Sequence, residues 1–108
     1  MIRANYTVED NSHTLTVHGH ANYGEYGKDI VCAGVSSLVQ ALIGWVENHP
    51  YDVECDCISI DETNGEVFIS CQGEKDTAAA FNLVATGLEQ IALSYPDHVY
   101  IDIIGVAD

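Results

Sequence analysis

The sequence predicts a two-layer α+β domain in the order β-β-α-β-β-α-β, a mixed sheet with two helices packed on one face. Short runs of alternating apolar residues indicate strands in both halves of the chain. Two longer segments repeat apolar residues every three or four positions, and each carries one apolar stripe. Helices of this kind bury their stripe against a sheet. The length of 108 residues suits one domain, and we expect residues 1–108 to form a single unit.

The first half predicts a β-hairpin followed by a helix. Residues 2–9 alternate in polarity, and Leu15 and Val17 continue the alternation after a turn at 10–12. From Ile30 the apolar spacing becomes helical and lasts until His49-Pro50, where proline disfavours further helix. We therefore expect the first helix over about residues 30–48.

The second half predicts another hairpin, a helix and a last strand. The hairpin turns at Thr63-Asn64-Gly65, and the helix follows, with Asp76 as its cap and Pro96 at its end. Alternation from Val99 to Ile103 then indicates a strand. The uncovered sheet face would carry Phe68, Tyr100 and Ile104. These large side chains indicate either a dimer interface or scattered exposed apolar residues.

The charge narrows the choice of partners. Three Lys+Arg against seventeen Asp+Glu give a formal net charge of −14. Such a surface repels phosphate backbones and anionic lipid, which argues against nucleic-acid and membrane binding and favours a basic partner. We see no signal peptide and expect no apolar stretch long enough to span a bilayer, so the predicted location is the cytoplasm.

The cysteines suit a reducing compartment. Cys55 and Cys57 lie two apart in a predicted strand, and Cys71 lies in the strand expected to pair with it. Zinc would need four ligands at workable spacing, and these three thiols support a metal site only weakly. We interpret them as small buried apolar side chains, and we expect neither a metal nor another cofactor.

His20 and Cys32 have the layout of a cysteine nucleophile and its base. His20 follows a predicted strand and Cys32 opens a predicted helix, so the glycine-containing loop between them could bring imidazole and thiol together. Unpaired N–H groups at a helix start favour thiolate, and a neighbouring imidazole can take the proton. His18 shares the strand face of His20, so the residues alone leave the choice of base open.

Asp29 and Ser36 are the predicted supporting residues. With Asp29 as helix N-cap, Cys32 occupies the third helical position, and amides of the first turn could hold an oxyanion. Asp29 would either cap the helix and orient His20, or only cap the helix. Ser36 lies one turn after Cys32 and would either steady the thiolate or bond back to the Cys32 carbonyl.

The loop over residues 22–28 contains Tyr23, Gly24, Tyr26 and Gly27. Glycines permit movement and tyrosines offer flat apolar surface, so this loop could close over an extended peptide. The tyrosines could equally pack against their own domain. We assign no role to His13, His49 and His98, which we expect at turns or helix ends.

The run Gly19-His20-Ala21, the glycines Gly24 and Gly27, and the run from Asp29 to Ala33 with Ser36 resemble the signature of Prp, the ribosomal-processing cysteine protease family. The resemblance covers nearly the whole chain. It implies a cytosolic homodimeric endopeptidase that removes an N-terminal extension from the large-subunit ribosomal protein numbered twenty-seven. It also implies a His20–Cys32 dyad and a cleavage motif that is apolar and aromatic before the cut. Gly34 departs from the alanine common in relatives.

Two further classes remain open at this point. The chain could be a non-catalytic acidic module that binds a basic ribosomal protein or assembly factor, with Cys32 buried in its helix. A thiol redox sensor would need a resolving thiol close to Cys32, and none lies near it in sequence. Faster alkylation of Cys32 than of the other three cysteines would favour the protease.

Overall fold

The computed structural model of the chain describes residues 1–25, 27–48, 53–61 and 65–105, with the backbone alone for 53–57. Its elements follow the predicted order. They are β1 (Ile2–Glu9), β2 (Ser12–His18), α1 (Ile30–Asn48), β3 (Val53–Asp61), β4 (Glu66–Gly73), α2 (Lys75–Ser94) and β5 (Val99–Ile104).

The five strands form one mixed sheet in the order β3-β4-β2-β1-β5. The β1 and β5 strands are parallel, whereas the other neighbours are antiparallel. Alternate residues of the central strands are buried beneath the helices, as the two-residue period of a strand requires. This arrangement confirms the predicted α+β fold.

The two helices approach closely through a reciprocal pair of glycines. A Cβ at Gly34 of α1 would lie 3.3 Å from Ile91 Cδ1 of α2, and one at Gly87 would lie 2.8 Å from Leu38 Cδ1. Each glycine therefore faces a large side chain of the other helix, and the helices run antiparallel. At Gly34 the missing methyl group makes room for this packing.

Helix α1 is long and apolar enough to cross a membrane by length and composition, which contradicts our expectation of no such stretch. Its apolar stripe packs in the core of the domain. The buried residues of α1 are Val31, Val35, Val39, Leu42, Ile43 and Val46. A core helix meets the same length and composition test as a membrane span.

His13 lies inside β2 and not at a turn, so its predicted position is wrong. The strand begins at Ser12, and the alternation places His13 on the buried face with Leu15. Its Nδ1 lies 2.8 Å from the Tyr6 hydroxyl, and its ring stacks on Phe81 at 5.4 Å. Burial lowers the pKa of His13, against the opposing effect of a hydrogen bond with the Gly73 backbone. His13 is therefore a core residue whose burial disfavours the charged imidazolium.

The start of α2 also differs from the prediction. Glu74 occupies the N-cap position without a side-chain cap bond, and Asp76 lies within the first turn. At that place its negative charge still faces the positive end of the helix dipole. The predicted end is confirmed, because the helix stops at Ser94, before Pro96.

The uncovered face of the sheet carries the three large side chains expected there. Phe68, Tyr100 and Ile104 are 38%, 51% and 54% exposed.

On the covered face, Cys71 is fully buried, as predicted. A β-bulge between Cys55 and Cys57 interrupts the alternation of β3, and their side chains lie outside the described part. Within that part, no group of three or more His, Cys, Asp or Glu could hold a metal ion.

Candidate active site

Gly19 directs the chain out of the sheet just before His20. Its φ of 98° lies in the left-handed region, and a Cβ there would overlap the carbonyl oxygen of Met1. The strand ends at His18, which is exposed, so the backbone of His20 no longer follows the strand. The expectation that His18 and His20 share a strand face is therefore wrong, because Gly19 reverses the local backbone.

Gly65, which directly precedes β4, lies against the segment that carries His20. Gly19 N–H donates to the carbonyl oxygen of Gly65 at 3.2 Å. A Cβ on Gly65 would lie 3.2 Å from Cε1 and 3.3 Å from Nε2 of the His20 ring. Sequence reasoning identified Gly65 as a turn residue only, and its contact with the imidazole depends on strand pairing. His20 itself is exposed and makes no hydrogen bond to any described residue.

Ala21 connects the histidine segment to the cysteine. Its N–H donates to Cys32 Sγ at 3.5 Å, and Cys32 is half-buried against the core. Since Ala21 directly follows His20, the fold brings the end of β2 to the start of α1. The segment that carries His20 therefore lies beside the thiol, while the pairing of imidazole and thiol stays a prediction.

Asp29 is the N-cap of α1, as predicted, and it also holds the loop. Its Oδ1 accepts from the N–H groups of Val31 and Cys32 at 3.0 and 3.1 Å. Its Oδ2 accepts from Tyr23 and Gly24 at 2.9 and 3.1 Å. Burial opposes ionisation, but these four bonds outweigh it and lower the pKa of Asp29. Neither oxygen bonds to His20 among the described residues, so the geometry supports capping without orientation of His20.

Three amides at the start of α1 already have hydrogen-bond acceptors. Oδ1 of Asp29 occupies the N–H groups of Val31 and Cys32, and Ala33 N–H donates to the Asp29 carbonyl at 3.0 Å. In this conformation Asp29 therefore competes for two of the amides expected to hold an oxyanion, and their oxyanion role stays a prediction. Among the described residues, Ala21 donates its N–H group to the Cys32 sulfur.

Ser36 is exposed and makes no side-chain hydrogen bond within the described part of the chain. The back-bond expected of it is made by its neighbour, since Ser37 Oγ donates to the Ala33 carbonyl at 2.8 Å. The geometry therefore gives Ser36 no role in holding Cys32.

The loop packs through its first tyrosine on residues of the connection between α2 and β5. The Tyr23 ring meets Tyr95 edge-on at 5.1 Å and His98 at 5.2 Å, while 46% of the residue stays exposed. His98 Nδ1 also donates to the carbonyl oxygen of Ala21 at 2.8 Å. Sequence reasoning missed Tyr95 and His98, because no local pattern links residues so distant along the chain.

The loop also contains Gly24, Tyr26 and Gly27. Gly24 is held by its bond to Asp29, whereas a Cβ added at Gly27, with φ of 83°, would have none of the described residues within 4 Å apart from its chain neighbours. Tyr26 lies outside the described residues. The site combines a half-buried thiol at a helix start with an imidazole on the residue before the one that bonds to the sulfur. Such a pair can form a nucleophile by proton transfer.

Gly65→Ala should impair cleavage more than it impairs folding. The methyl group would press on the His20 ring and on the carbonyl oxygen of Gly19, 3.1 Å away, which directly precedes His20, and φ of 63° adds left-handed strain of about 1 kcal/mol for a residue with a Cβ. We expect peptide-cleaving activity to fall about tenfold, the effect of a small misplacement of a reacting group. Glu66→Ala, at the neighbouring exposed position, is the control and should keep activity. Equal activity in both variants would show that Gly65 does not position His20.

Known proteins with this fold and sequence identify the family. A family model described as Cysteine protease Prp matches residues 1–100. The ribosomal processing cysteine protease Prp of Mycoplasma genitalium is 33% identical over 91 residues, covering 82% of this chain and 85% of that protein. The protein of the same name from Staphylococcus aureus is 38% identical over 85 residues, covering 67% of this chain and 79% of that protein.

Solved structures support the same family assignment as the sequence matches. The essential ribosomal processing protease Prp from S. aureus, in complex with a covalently linked product peptide, matches with a TM-score of 0.84 at 25% identity. The match covers 95% of this chain and 99% of that chain. Similarity of this extent in both sequence and fold shows that the chain belongs to the Prp family of cysteine proteases, which are peptide hydrolases.

Proposed function

We propose that this protease removes the N-terminal extension of the large-subunit ribosomal protein numbered twenty-seven, with Cys32 as nucleophile and His20 as base. The observation that carries the proposal is the Ala21 N–H bond to Cys32 Sγ, which sets the thiol beside the segment of His20. The relatives are named as ribosomal processing proteases, and one was solved with a covalently linked product peptide. Membership of a protease family argues against the non-catalytic acidic module.

The proposed reaction has two halves. His20 accepts the Cys32 thiol proton, and the thiolate attacks the scissile carbonyl carbon to form a C–S bond. When the C–N bond breaks, the imidazolium returns the proton to the leaving amine, leaving an acyl-enzyme. His20 then takes a proton from a water molecule whose oxygen attacks the thioester carbonyl. The C–S bond breaks, the imidazolium returns its proton to the sulfur to restore the Cys32 thiol, and the product acid loses its proton to solvent and leaves as a carboxylate.

A digest of the organism's own precursor ribosomal protein tests this function. The purified enzyme should cut the precursor at one site near its N-terminus, and mass spectrometry of both products locates the bond. Apolar and aromatic residues should precede the cut. An intact precursor after prolonged incubation with reduced, folded enzyme would contradict the proposed substrate.

The charge of the enzyme should make its encounter with the precursor sensitive to salt. Ribosomal proteins are generally basic, and attraction to a −14 protein extends over a Debye length, about 8 Å at physiological salt. Rising salt should therefore lower kcat/KM for the intact precursor much more than kcat. A short neutral peptide that spans only the cleavage site is the control and should show little change. Equal salt slopes for both substrates would mean that the acidic surface does not assist recognition.

We also propose that the enzyme works in the cytoplasm as a homodimer, without binding nucleic acid. The exposed Phe68 and Tyr100 on the uncovered sheet face support a surface for a second copy. Sedimentation velocity should give the mass of two chains, and the double variant Phe68→Glu, Tyr100→Glu should give the mass of one. A monomeric wild-type protein at micromolar concentration would contradict the dimer.

A further inference from the structure

We propose that His98 is a positioning residue for Cys32, acting through Ala21. The inference rests on the proposed role of Cys32 as nucleophile. His98 does not face the sulfur directly; it holds the residue whose N–H group does. His98 is 77 positions from Ala21 along the chain, and its ring reaches the loop only in the folded protein.

Both backbone groups of Ala21 are used at the site. Its carbonyl oxygen accepts from His98 Nδ1 at 2.8 Å, and its N–H donates to Cys32 Sγ at 3.5 Å. Because the acceptor is a carbonyl, His98 carries its proton on Nδ1 in this arrangement. Ala21 is 1% exposed, so solvent is poorly placed to replace a lost bond from His98. Removal of the imidazole would free the carbonyl and let the N–H turn away from the sulfur.

His98 is itself anchored to rigid elements. Its N–H donates to the Tyr95 carbonyl at the end of α2, and its carbonyl accepts from Ile2 N–H at the start of β1, both at 2.9 Å. Its ring is also covered on one side by the edge contact with Tyr23. The position of the imidazole is therefore set by the sheet and α2, and His98 transmits that position to the loop.

The loop thus has two anchors of different origin. Asp29, at the start of α1, holds the amides of Tyr23 and Gly24. His98, just before β5, holds Ala21 on the other side of Asn22, which has a left-handed φ of 54°. Asp29 holds only the residues after Asn22, whereas Ala21, which contacts the sulfur, lies before Asn22. The position of Ala21 therefore depends on His98.

Loss of the Ala21 N–H bond should destabilise the thiolate form of Cys32 more than its thiol form. A hydrogen bond to an ionised acceptor is stronger than one to its neutral form. The Ala21 N–H therefore favours ionised Cys32, and its loss should shift the pH at which Cys32 becomes reactive to higher values. A residue that only stabilised the fold would lower the unfolding temperature without moving that pH.

Three substitutions of His98 separate these roles. His98→Asn keeps an N–H donor at the same number of bonds from Cβ as Nδ1. His98→Gln places its donor one bond farther out, as Nε2 does, and His98→Ala has none. His18→Ala, which removes an exposed histidine in β2, is the matched control.

The first readout is iodoacetamide alkylation of Cys32 against pH, with the modified peptide identified by mass spectrometry. For His98→Ala and His98→Gln we expect the pH of half-maximal rate to rise by about one unit, the tenfold effect of one bond to a charged group. The kcat for peptide cleavage should fall about tenfold while KM changes little. His98→Asn and His18→Ala should match the wild-type protein in both measurements.

Two results would overturn the inference. One is a wild-type alkylation profile and wild-type kcat in His98→Ala. The other is equal impairment in His98→Asn, His98→Gln and His98→Ala, in step with their thermal unfolding, which would reduce His98 to a structural residue. The alkylation readout needs no cleavage. Failure of the wild-type enzyme to cut the precursor would therefore overturn the proposed function while leaving the His98 result interpretable.

Discussion

Replacing Cys32 by alanine or by serine should abolish cleavage of the precursor while the protein stays folded. Alanine has no nucleophile, and a serine hydroxyl in the same place ionises far less readily than a thiol. The side chain is half-buried and small, so its loss opens no large cavity in the core. We expect kcat/KM to fall by about a thousandfold or more for both variants.

The measurement is precursor cleavage by purified variants, with circular dichroism and thermal unfolding to confirm the fold. Cys71→Ala is the matched control, because Cys71 is fully buried on the covered face of the sheet, away from the reacting groups. That variant should lose stability but keep cleavage activity in its folded fraction. Turnover by Cys32→Ala comparable to the wild-type rate would refute the nucleophile assignment.

His20→Ala should slow cleavage by about a hundredfold to ten-thousandfold, the usual contribution of a general acid–base group. Without the imidazole, the Cys32 proton has no partner, so alkylation of Cys32 should move to higher pH. Both effects are measured on one preparation, by kcat/KM for a precursor peptide and by the alkylation rate across a pH series.

His18→Ala should show neither effect. His18 is exposed at the end of β2, and Gly19 turns the chain away before His20. An inactive His18→Ala together with an active His20→Ala would mean that the base is the other histidine. Similar behaviour of the two variants would mean that neither histidine alone serves as the base.

Local patterns in the sequence determined the element order and the bounds of the first helix. Apolar spacing from Ile30 and the proline at position 50 predicted a helix over about residues 30–48, and α1 spans Ile30–Asn48. The N-cap role of Asp29 was equally local, because it depends on amides only two and three residues away. Such features need no knowledge of the rest of the chain, since neighbouring residues supply all the interactions.

Errors arose where a local pattern was ambiguous by a few residues. A turn ending at Ser12 placed His13 outside the strand, whereas ladder pairing with β1 and β4 extends β2 back to Ser12. Asp76 was a plausible cap by residue type, but the N-cap lies two residues earlier, at Glu74. For β2, pairing with the two neighbouring strands decided the boundary.

The sequence by itself placed His20, Asp29 and Cys32 at the junctions of recognisable elements and so made them candidates for the chemistry, while leaving the choice between His18 and His20 as base open. Only the tertiary structure decided what surrounds them. Gly65 lies against His20 because β2 pairs with β4, and His98 reaches Ala21 because β5 joins the sheet beside β1. Hydrogen bonds and close contacts act over a few ångströms, so partners distant along the chain meet only after the sheet has assembled.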